Sequence, residues 1–447
     1  MPMRFDDLPL EIIRYVFSLL CCRSVEFREP PRERSGTTQV TLSLVCSRWR
    51  EIALNTRTLW GDVTVYYDGD RERAQGPPTS FQFVHNWLHR AGTTPISLHL
   101  YAIEASESQI AAISQTLLSS FHITNLGLES TECHHLLLPT NNSHHLESLH
   151  FSSFEPARAT DTFPRFPEMP SLKRLHLCLH PDDFVDLTNI YLIPWHQLRV
   201  LTLSHIHWSS QILFNVLQRC KSLVECTLLV KLKYGQHEHD ILLPNLESLV
   251  LNMKEEDSAD PIIRSLMLPN LRSLYIRSWL WWTKLVLSPE AIVIMAQRSG
   301  FKRLTDFSLS QTEQPVDVRS LLASMPTLES VQLIGSLMFQ PGTFDDLSSG
   351  MIGPQLEDIY FGVMGDEEIK LLLETVGRRH EKAKTVSDIR PFAFVTGRCT
   401  TKGDFESLNQ RAKQCCEAFN ARVSVVRGPF SSWHDVTFDW RQHGINL

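Results

Sequence analysis

The chain has 447 residues, of which 43% are hydrophobic and 21% charged, and its formal net charge is −7. This balance is typical of a globular protein and excludes a disordered chain, while the mild acidity gives no electrostatic footprint for nucleic acid. No apolar run reaches about 18 residues, so the sequence predicts no membrane span. Glu11 and Arg14 interrupt the first apolar stretch, and we therefore expect no secretory signal there.

Residues 7–20, DLPLEIIRYVFSLL, are predicted to form a helix with Pro9 in its first turn. Two apolar stripes run along this helix: Leu8, Ile12, Val16 and Leu19 form one, and Leu10, Ile13, Phe17 and Leu20 form the other. A helix on the surface of a globular protein needs only one apolar stripe. The excess apolar surface predicts that a partner covers part of it.

A second helix is predicted over residues 42–54, because Val45, Trp49, Ile52 and Ala53 fall on one helical face. The intervening segment, residues 22–39, is rich in charge and is interpreted as an exposed loop. The two helices together contain too few residues for an independent core.

These two segments resemble an F-box, in the form seen in mushroom-type fungal proteins. The resemblance covers roughly residues 5–62 and consists of a Leu-Pro-x-Glu start, a Val-Cys-x-x-Trp middle and a Leu-Trp end. The matching positions are Leu8, Pro9, Glu11, Ile12, Ile13, Phe17, Leu44, Val45, Cys46, Trp49, Arg50, Ala53, Leu59 and Trp60. The chain departs from the family pattern in residues 22–39, which are longer and more charged than the usual connection.

In that family the F-box docks on a Skp-type adaptor, which joins it to a cullin scaffold and a RING subunit. The resemblance therefore implies these protein partners and a set of residues at or behind the adaptor interface. That set is Leu8, Pro9, Ile12, Ile13, Val16, Phe17, Leu44, Val45 and Trp49. Since both helix faces are apolar, each residue could either contact the adaptor or pack in the F-box's own core.

The middle of the chain repeats the pattern L-x-x-φ-x-φ, in which φ is apolar. Nine copies begin at Leu146, Leu172, Leu198, Leu223, Leu246, Leu271, Leu304, Leu328 and Leu356. Successive copies start 26, 26, 25, 23, 25, 33, 24 and 28 residues apart, by subtraction of those residue numbers. Apart from the one longer step, this is the period of leucine-rich repeats. A single short strand cannot bury its apolar side, so stacked copies are needed to make a common core.

The predicted fold class is therefore α/β: a helical F-box followed by a solenoid with a parallel sheet on its concave face and helices outside. The predicted domains are the F-box (1–65), a connecting segment or N-terminal cap (66–94), the solenoid (95–397) and a C-terminal cap (398–447). The alternative is an ordinary α/β domain with leucine-rich strands, which would have to explain the steady recurrence of one face.

Side chains that alternate with the leucines are predicted to line the concave face, where a protein substrate would bind. Because Trp and Arg are frequent interface anchors, the candidate substrate-binding residues are Arg174, His176, Tyr275, Arg277, Trp279 and Trp281. The tryptophans belong to SWLWWTK, the segment that follows Arg277 where the repeat spacing jumps to 33. They could instead fill a gap left by an irregular repeat.

Motifs of catalysis are missing from the sequence: it has no G-x-G-x-x-G, P-loop, H-E-x-x-H or G-x-S-x-G. The histidine pairs 134–135 and 144–145 are adjacent in sequence, so their side chains diverge, and the pair His237 and His239 lacks a third ligand nearby. The ten cysteines contain no C-x-x-C. We therefore expect no enzyme, no metal site and no cofactor. Reduced thiols predict a cytoplasmic or nuclear location.

The predicted function is substrate recognition in a Skp–cullin–F-box ubiquitin ligase, with the F-box on the adaptor and the repeats on an unknown protein substrate. The alternative is a leucine-rich binding scaffold that acts without ubiquitin transfer. We expect neither nucleic acid nor membrane among the partners.

Overall fold

The computed structural model describes residues 8–21, 24–28, 37–68, 80–103, 105, 113–130, 143–153, 168–178, 193–206, 210–230, 240–253, 258–279, 283–399 and 405–427. The chain divides into two compact units, Met1–His207 and Trp208–Leu447. None of the described helices is long and apolar enough to cross a membrane. The domain boundaries derived from the sequence stay predictions.

The first unit begins with three helices: α1 (Leu10–Leu20), α2 (Thr38–Val45) and α3 (Ser47–Asn55). The single helix predicted over residues 42–54 is wrong, because Cys46 is extended, with φ −158° and ψ 171°, and separates α2 from α3. The Cys46 thiol accepts a hydrogen bond from the backbone N–H of Trp49 and so caps α3. Val45 consequently lies outside the buried face of α3 and is exposed.

The segment between α1 and α2 contributes strand β1 (Val25–Arg28), which pairs in parallel with β2 (Asp62–Asp68). The interpretation of residues 22–39 as an exposed loop is therefore wrong for this stretch. The Phe27 ring lies 5.5 Å from Phe83 and 5.4 Å from Trp87, between ring centroids, both on α4 (Ser80–Leu88). Strand β1 thus joins the three helices to the sheet of the same unit.

In the part of the first unit that the structure describes, seven parallel strands follow one another in chain order, each paired with the next. After β2 come β3 (Ile96–Ile103), β4 (Ile123–Ser130), β5 (Ser148–Ser153), β6 (Arg174–Cys178) and β7 (Val200–Ile206). Their register aligns one buried row of repeat leucines, Leu98, Leu126, Leu149, Leu175 and Leu201. This row is the core that single strands could not form alone.

The second unit is also a parallel sheet with flanking helices. Its strands are β8 (Glu225–Val230), β9 (Ile241–Leu242), β10 (Ser248–Met253), β11 (Leu266–Met267), β12 (Ser273–Ser278), β13 (Asp306–Leu309), β14 (Val316–Asp317), β15 (Ser330–Met338), β16 (Asp358–Met364), β17 (Phe394–Cys399) and β18 (Arg422–Arg427). The order of the main sheet is β8-β10-β12-β13-β15-β16-β17-β18; β9 pairs with β11, and β14 pairs with β15.

Helices lie between many of the described strands of the second unit. They are α5 (Ser210–Arg219), α6 (Asp260–Ser265), α7 (Pro289–Ser299), α8 (Val318–Ser324), α9 (Thr343–Ser349), α10 (Asp366–Ala383) and α11 (Phe405–Phe419). The predicted fold class is confirmed: N-terminal helices precede a large parallel sheet with flanking helices, consistent with a solenoid-like repeat.

Arg379, on α10, is a fully buried cation in the second unit. Its guanidinium donates hydrogen bonds at 2.7–3.3 Å to the backbone carbonyls of Leu347, Gly353, Pro354, Leu356 and Arg390. It also lies 4.4 Å from the ring centroid of Phe392. Burial lowers the pKa of Arg379 to about 10, so the side chain stays charged at neutral pH. Arg379 therefore joins α10 to the backbone on both sides of it in sequence, at residues 347–356 and at Arg390.

We predict that Arg379→Ala destabilises the protein by about 3–5 kcal/mol, because it removes the charged hydrogen bonds that join α10 to five backbone carbonyls and leaves a cavity beside Phe392. The neighbouring Arg378 forms a surface ion pair with Asp345 and supplies the matched control. Arg378→Ala should cost less than about 1 kcal/mol. Urea unfolding followed by circular dichroism measures both, and equal effects would contradict the assignment.

Candidate functional site

Helix α1 has a buried face and an exposed face. Ile13 and Phe17 are completely buried, and the Phe17 ring packs on Trp49 of α3 with 5.1 Å between centroids. Trp60 is also completely buried, and its indole N–H donates to the carbonyl of Ala53 at 2.9 Å. These contacts form the small core that positions the three helices.

The exposed positions of the three helices include many large apolar side chains. These side chains are Leu10, Ile12, Tyr15, Leu19, Leu20, Leu44, Val45 and Leu54. Leu44 is 67% exposed and Tyr15 63%, which is unusual for side chains of this kind. We call these eight residues the apolar surface. A concentration of exposed apolar residues marks a protein-interaction site.

The structure divides the predicted adaptor-binding residues into three groups. Pro9, Ile12, Leu44 and Val45 are exposed, and Leu8, Val16 and Trp49 are partly exposed. Ile13 and Phe17 lie behind the surface, in the core. Five residues of the apolar surface were not among the candidates. Leu10, Leu19 and Leu20 belong to the predicted apolar stripes, whereas Tyr15 and Leu54 belong to none.

On the sheet of the first unit, the face opposite the leucines carries the predicted substrate residues Arg174 and His176. Arg174 is exposed, and its guanidinium donates to the side-chain oxygen of Asn125 at 3.0 Å. His176 is partly buried and stacks on His150, with ring centroids 4.1 Å apart. Only Arg174 of this pair therefore offers its side chain freely to a partner.

The same face brings together a cluster that sequence reasoning missed: His99, Glu129 and His150, here called the His–Glu trio. His99 Nε2 lies 2.9 Å from Glu129 Oε1, and His150 Nε2 lies 3.5 Å from the same oxygen. Within the described residues this is the group of three or more potential metal ligands whose donor atoms all lie within 4.8 Å of one another. The signal was present in the sequence, because His99, His150 and His176 each stand between two apolar residues of a repeat.

Burial and neighbouring charges shift the pKa values of the trio. Burial raises the pKa of Glu129, but the hydrogen bond from His99 and the histidine charges outweigh burial and lower it. Burial and the charge of His176 lower the pKa of His150 to about 4. Burial and the Glu129 charge raise the pKa of Tyr101, which donates a hydrogen bond to Glu129, to about 12. At neutral pH the cluster thus contains a carboxylate, a neutral His150 and a neutral Tyr101.

On the second unit, Tyr275 and Arg277 lie on the face opposite the leucines, as alternation predicts. Tyr275 is nevertheless only 8% exposed, so its ring packs in the interior of the unit. It belongs to a row of laterally aligned buried side chains, Val250, Tyr275, Ser308, Gln332, Tyr360 and Thr396. Arg277 is partly buried, and its guanidinium carbon lies 5.1 Å from the Tyr275 ring centroid. Burial lowers the pKa of Arg277.

Trp279 follows strand β12 and is partly buried. Trp281, the last of the predicted substrate residues, lies outside the described residues. The choice between an interface anchor and a gap filler therefore stays open for the tryptophan segment.

A protein-family model described as F-box-like matches residues 5–65 of the chain. No curated protein matches the sequence. The chain therefore carries an F-box-like domain, and this domain supports a role in substrate recognition by Skp–cullin–F-box ubiquitin ligases in general. F-box domains in general bind Skp-type adaptors. The match ends before the repeats, whose assignment as leucine-rich repeats stays a prediction.

We predict that Tyr275→Ala destabilises the protein by about 2–4 kcal/mol, because it removes a large buried ring from the row between Val250 and Ser308. Tyr275→Phe keeps the ring and should cost less than about 1.5 kcal/mol. Urea denaturation measures both changes. A Tyr275→Ala variant as stable as the wild type would show that the ring is dispensable for folding. Tyr275 would then remain only a candidate substrate-binding residue.

Proposed function

We propose that this protein is the substrate-recognition subunit of a Skp–cullin–F-box ubiquitin ligase. The observation that carries the proposal is the apolar surface on the F-box-like domain, which Ile13 and Phe17 support from behind. Burying exposed leucines contributes about 25 cal/mol per Å², so docking an adaptor there gives a favourable free energy without any charged contact.

The sheet face opposite the leucines is the proposed surface for a protein substrate. In the second unit the row of side chains through Tyr275 is buried, so little of that row is accessible to a partner. In the first unit Arg174 is exposed, so it is the best placed of the predicted substrate residues. We propose that the protein is not itself an enzyme. Ubiquitin transfer would be catalysed by other subunits, which the adaptor joins to it. We place it in the cytoplasm or nucleus.

The position of strand β1 supports an F-box that docks the adaptor and a sheet that binds the substrate. The strand lies within the residues that match the F-box model, yet it forms a parallel pair with β2 and thereby joins the sheet of the first unit. An adaptor bound to the helices would thus be held by the same compact unit that carries Arg174 and its neighbours. A defined position of the substrate relative to the ligase is what ubiquitin transfer requires.

The second candidate function is a binding scaffold that contacts the adaptor but acts without ubiquitin transfer. The same apolar surface would serve it, so adaptor binding alone does not separate the two functions. Recruitment of cullin together with the adaptor does.

We predict that the full chain binds a Skp-type adaptor and that Ile12→Asp combined with Leu44→Asp abolishes binding. Each substitution places a charge on the apolar surface that would be buried against the adaptor without a partner. Leu8→Ala combined with Pro9→Ala should weaken binding less, because it removes contact area without adding charge. Co-purification and isothermal titration calorimetry measure these effects.

Met351, 77% exposed in the second unit, provides the matched control. Met351→Asp adds one carboxylate at an exposed apolar residue away from the helices, where the double variant adds two, and should leave adaptor affinity unchanged. Unchanged binding by the Ile12/Leu44 variant would refute docking on this surface. If the adaptor binds but cullin does not join the purified complex, the scaffold function is the correct one.

A further inference from the structure

The His–Glu trio lies on three adjacent strands, because the parallel register places equivalent repeat positions side by side. His99 of β3 is aligned with Gly127 of β4, and Gly127 with His150 of β5. Glu129 stands two residues after Gly127, on the same face of β4. The three side chains therefore converge from a rigid sheet rather than from a loop.

Gly127 makes room for this convergence. A Cβ atom on Gly127 would lie 2.6 Å from Cγ and Cδ2 of the His99 imidazole, so any larger residue would force that ring to move. The imidazole therefore lies directly over the glycine, stacked on Tyr101 with 4.6 Å between ring centroids and 3° between planes. His99 is thus held in place on two sides while its Nε2 points to Glu129.

The distances between donor atoms suit a metal ion. Tetrahedral zinc with bonds of about 2.0–2.2 Å separates its ligand atoms by roughly 3.4 Å. The two histidine–carboxylate distances in the trio are 2.9 and 3.5 Å, and all three donor atoms lie within 4.8 Å of one another. The His99 and His150 side chains are each 32% exposed, so an ion can reach them from solvent.

The outer contacts are also those of a metal centre. Tyr101 donates a hydrogen bond to Glu129 and so orients the carboxylate. The His150 ring stacks on His176 with 30° between the planes, and this limits its rotation. Two imidazoles and one carboxylate form a ligand set of borderline hardness. Such a set binds zinc and neighbouring divalent transition metals in preference to calcium or magnesium.

We propose that His99, Glu129 and His150 bind one divalent transition-metal ion, Zn²⁺ in the first instance, with the fourth position open to water. The ion would replace the hydrogen bond between His99 and Glu129 and link β3, β4 and β5. The site is independent of the apolar surface, because it uses none of its residues. It replaces the expectation from sequence that the chain has no metal site.

The test uses the full chain, stripped with a chelator, dialysed, and titrated with Zn²⁺ in competition with a chromophoric chelator. We expect one Zn²⁺ per wild-type chain and a higher Tm with Zn²⁺ present, since a ligand that binds only the folded state stabilises it. Glu129→Gln keeps the size of the side chain but should weaken Zn²⁺ binding at least tenfold. His99→Gln combined with His150→Gln should abolish both the uptake and the Tm increase.

A matched control is His145→Ala. His145 and His122 form another close histidine pair, with ring centroids 4.4 Å apart, outside the trio. This variant should bind Zn²⁺ like the wild type. Gly127→Ala should weaken binding without removing any ligand, because it displaces the His99 ring.

The absence of stoichiometric Zn²⁺ uptake by the wild type would overturn the proposal. So would equal uptake by the wild type and the folded double histidine variant, because the ion would then bind elsewhere. Circular dichroism establishes that each variant is folded; if Glu129→Gln is not, the double histidine variant and Gly127→Ala decide the question.

Discussion

The structure depends on one constraint, the parallel pairing of short strands that cannot bury their apolar side alone. Pairing equivalent repeat positions places Leu149 beside Leu175 and Leu175 beside Leu201, so each new strand completes the core of the one before. The same register acts on the opposite face. Whatever polar residue occurs at an equivalent position in successive repeats becomes a lateral row, about 4.8 Å from strand to strand.

This constraint explains why the fold was predictable and parts of the N-terminal region were not. A leucine pattern that recurs at a steady period encodes both the strand and its neighbour, so the parallel sheet followed from the sequence. Strand β1 has no such repeat; its place is determined by contacts of Phe27 with Phe83 and Trp87, which are distant in sequence. The break at Cys46 was equally hidden, since a continuous helix satisfies the same apolar pattern.

The candidate sites show the same division. Alternation correctly predicted the side of the sheet on which Tyr275 lies, but it carries no information about burial on that side. Side chains on neighbouring strands lie close enough to cover one another, and Tyr275 is buried between Val250 and Ser308. The grouping of His99 and His150 could have been predicted by aligning the repeats laterally. The contribution of Glu129 could not, because it depends on Gly127 leaving space for an imidazole.

Strand β1 also limits how well the F-box-like region could be transferred to another protein as a separate domain. Its middle segment completes the edge of a sheet that belongs to the repeats, and the Arg28 guanidinium lies 4.6 Å from the ring of Tyr66 on β2. Transplanting residues 5–65 onto another scaffold would cut β2 after Val65 and separate Phe27 from Phe83 and Trp87 on α4. The two parts of the first unit have to evolve, and be engineered, together.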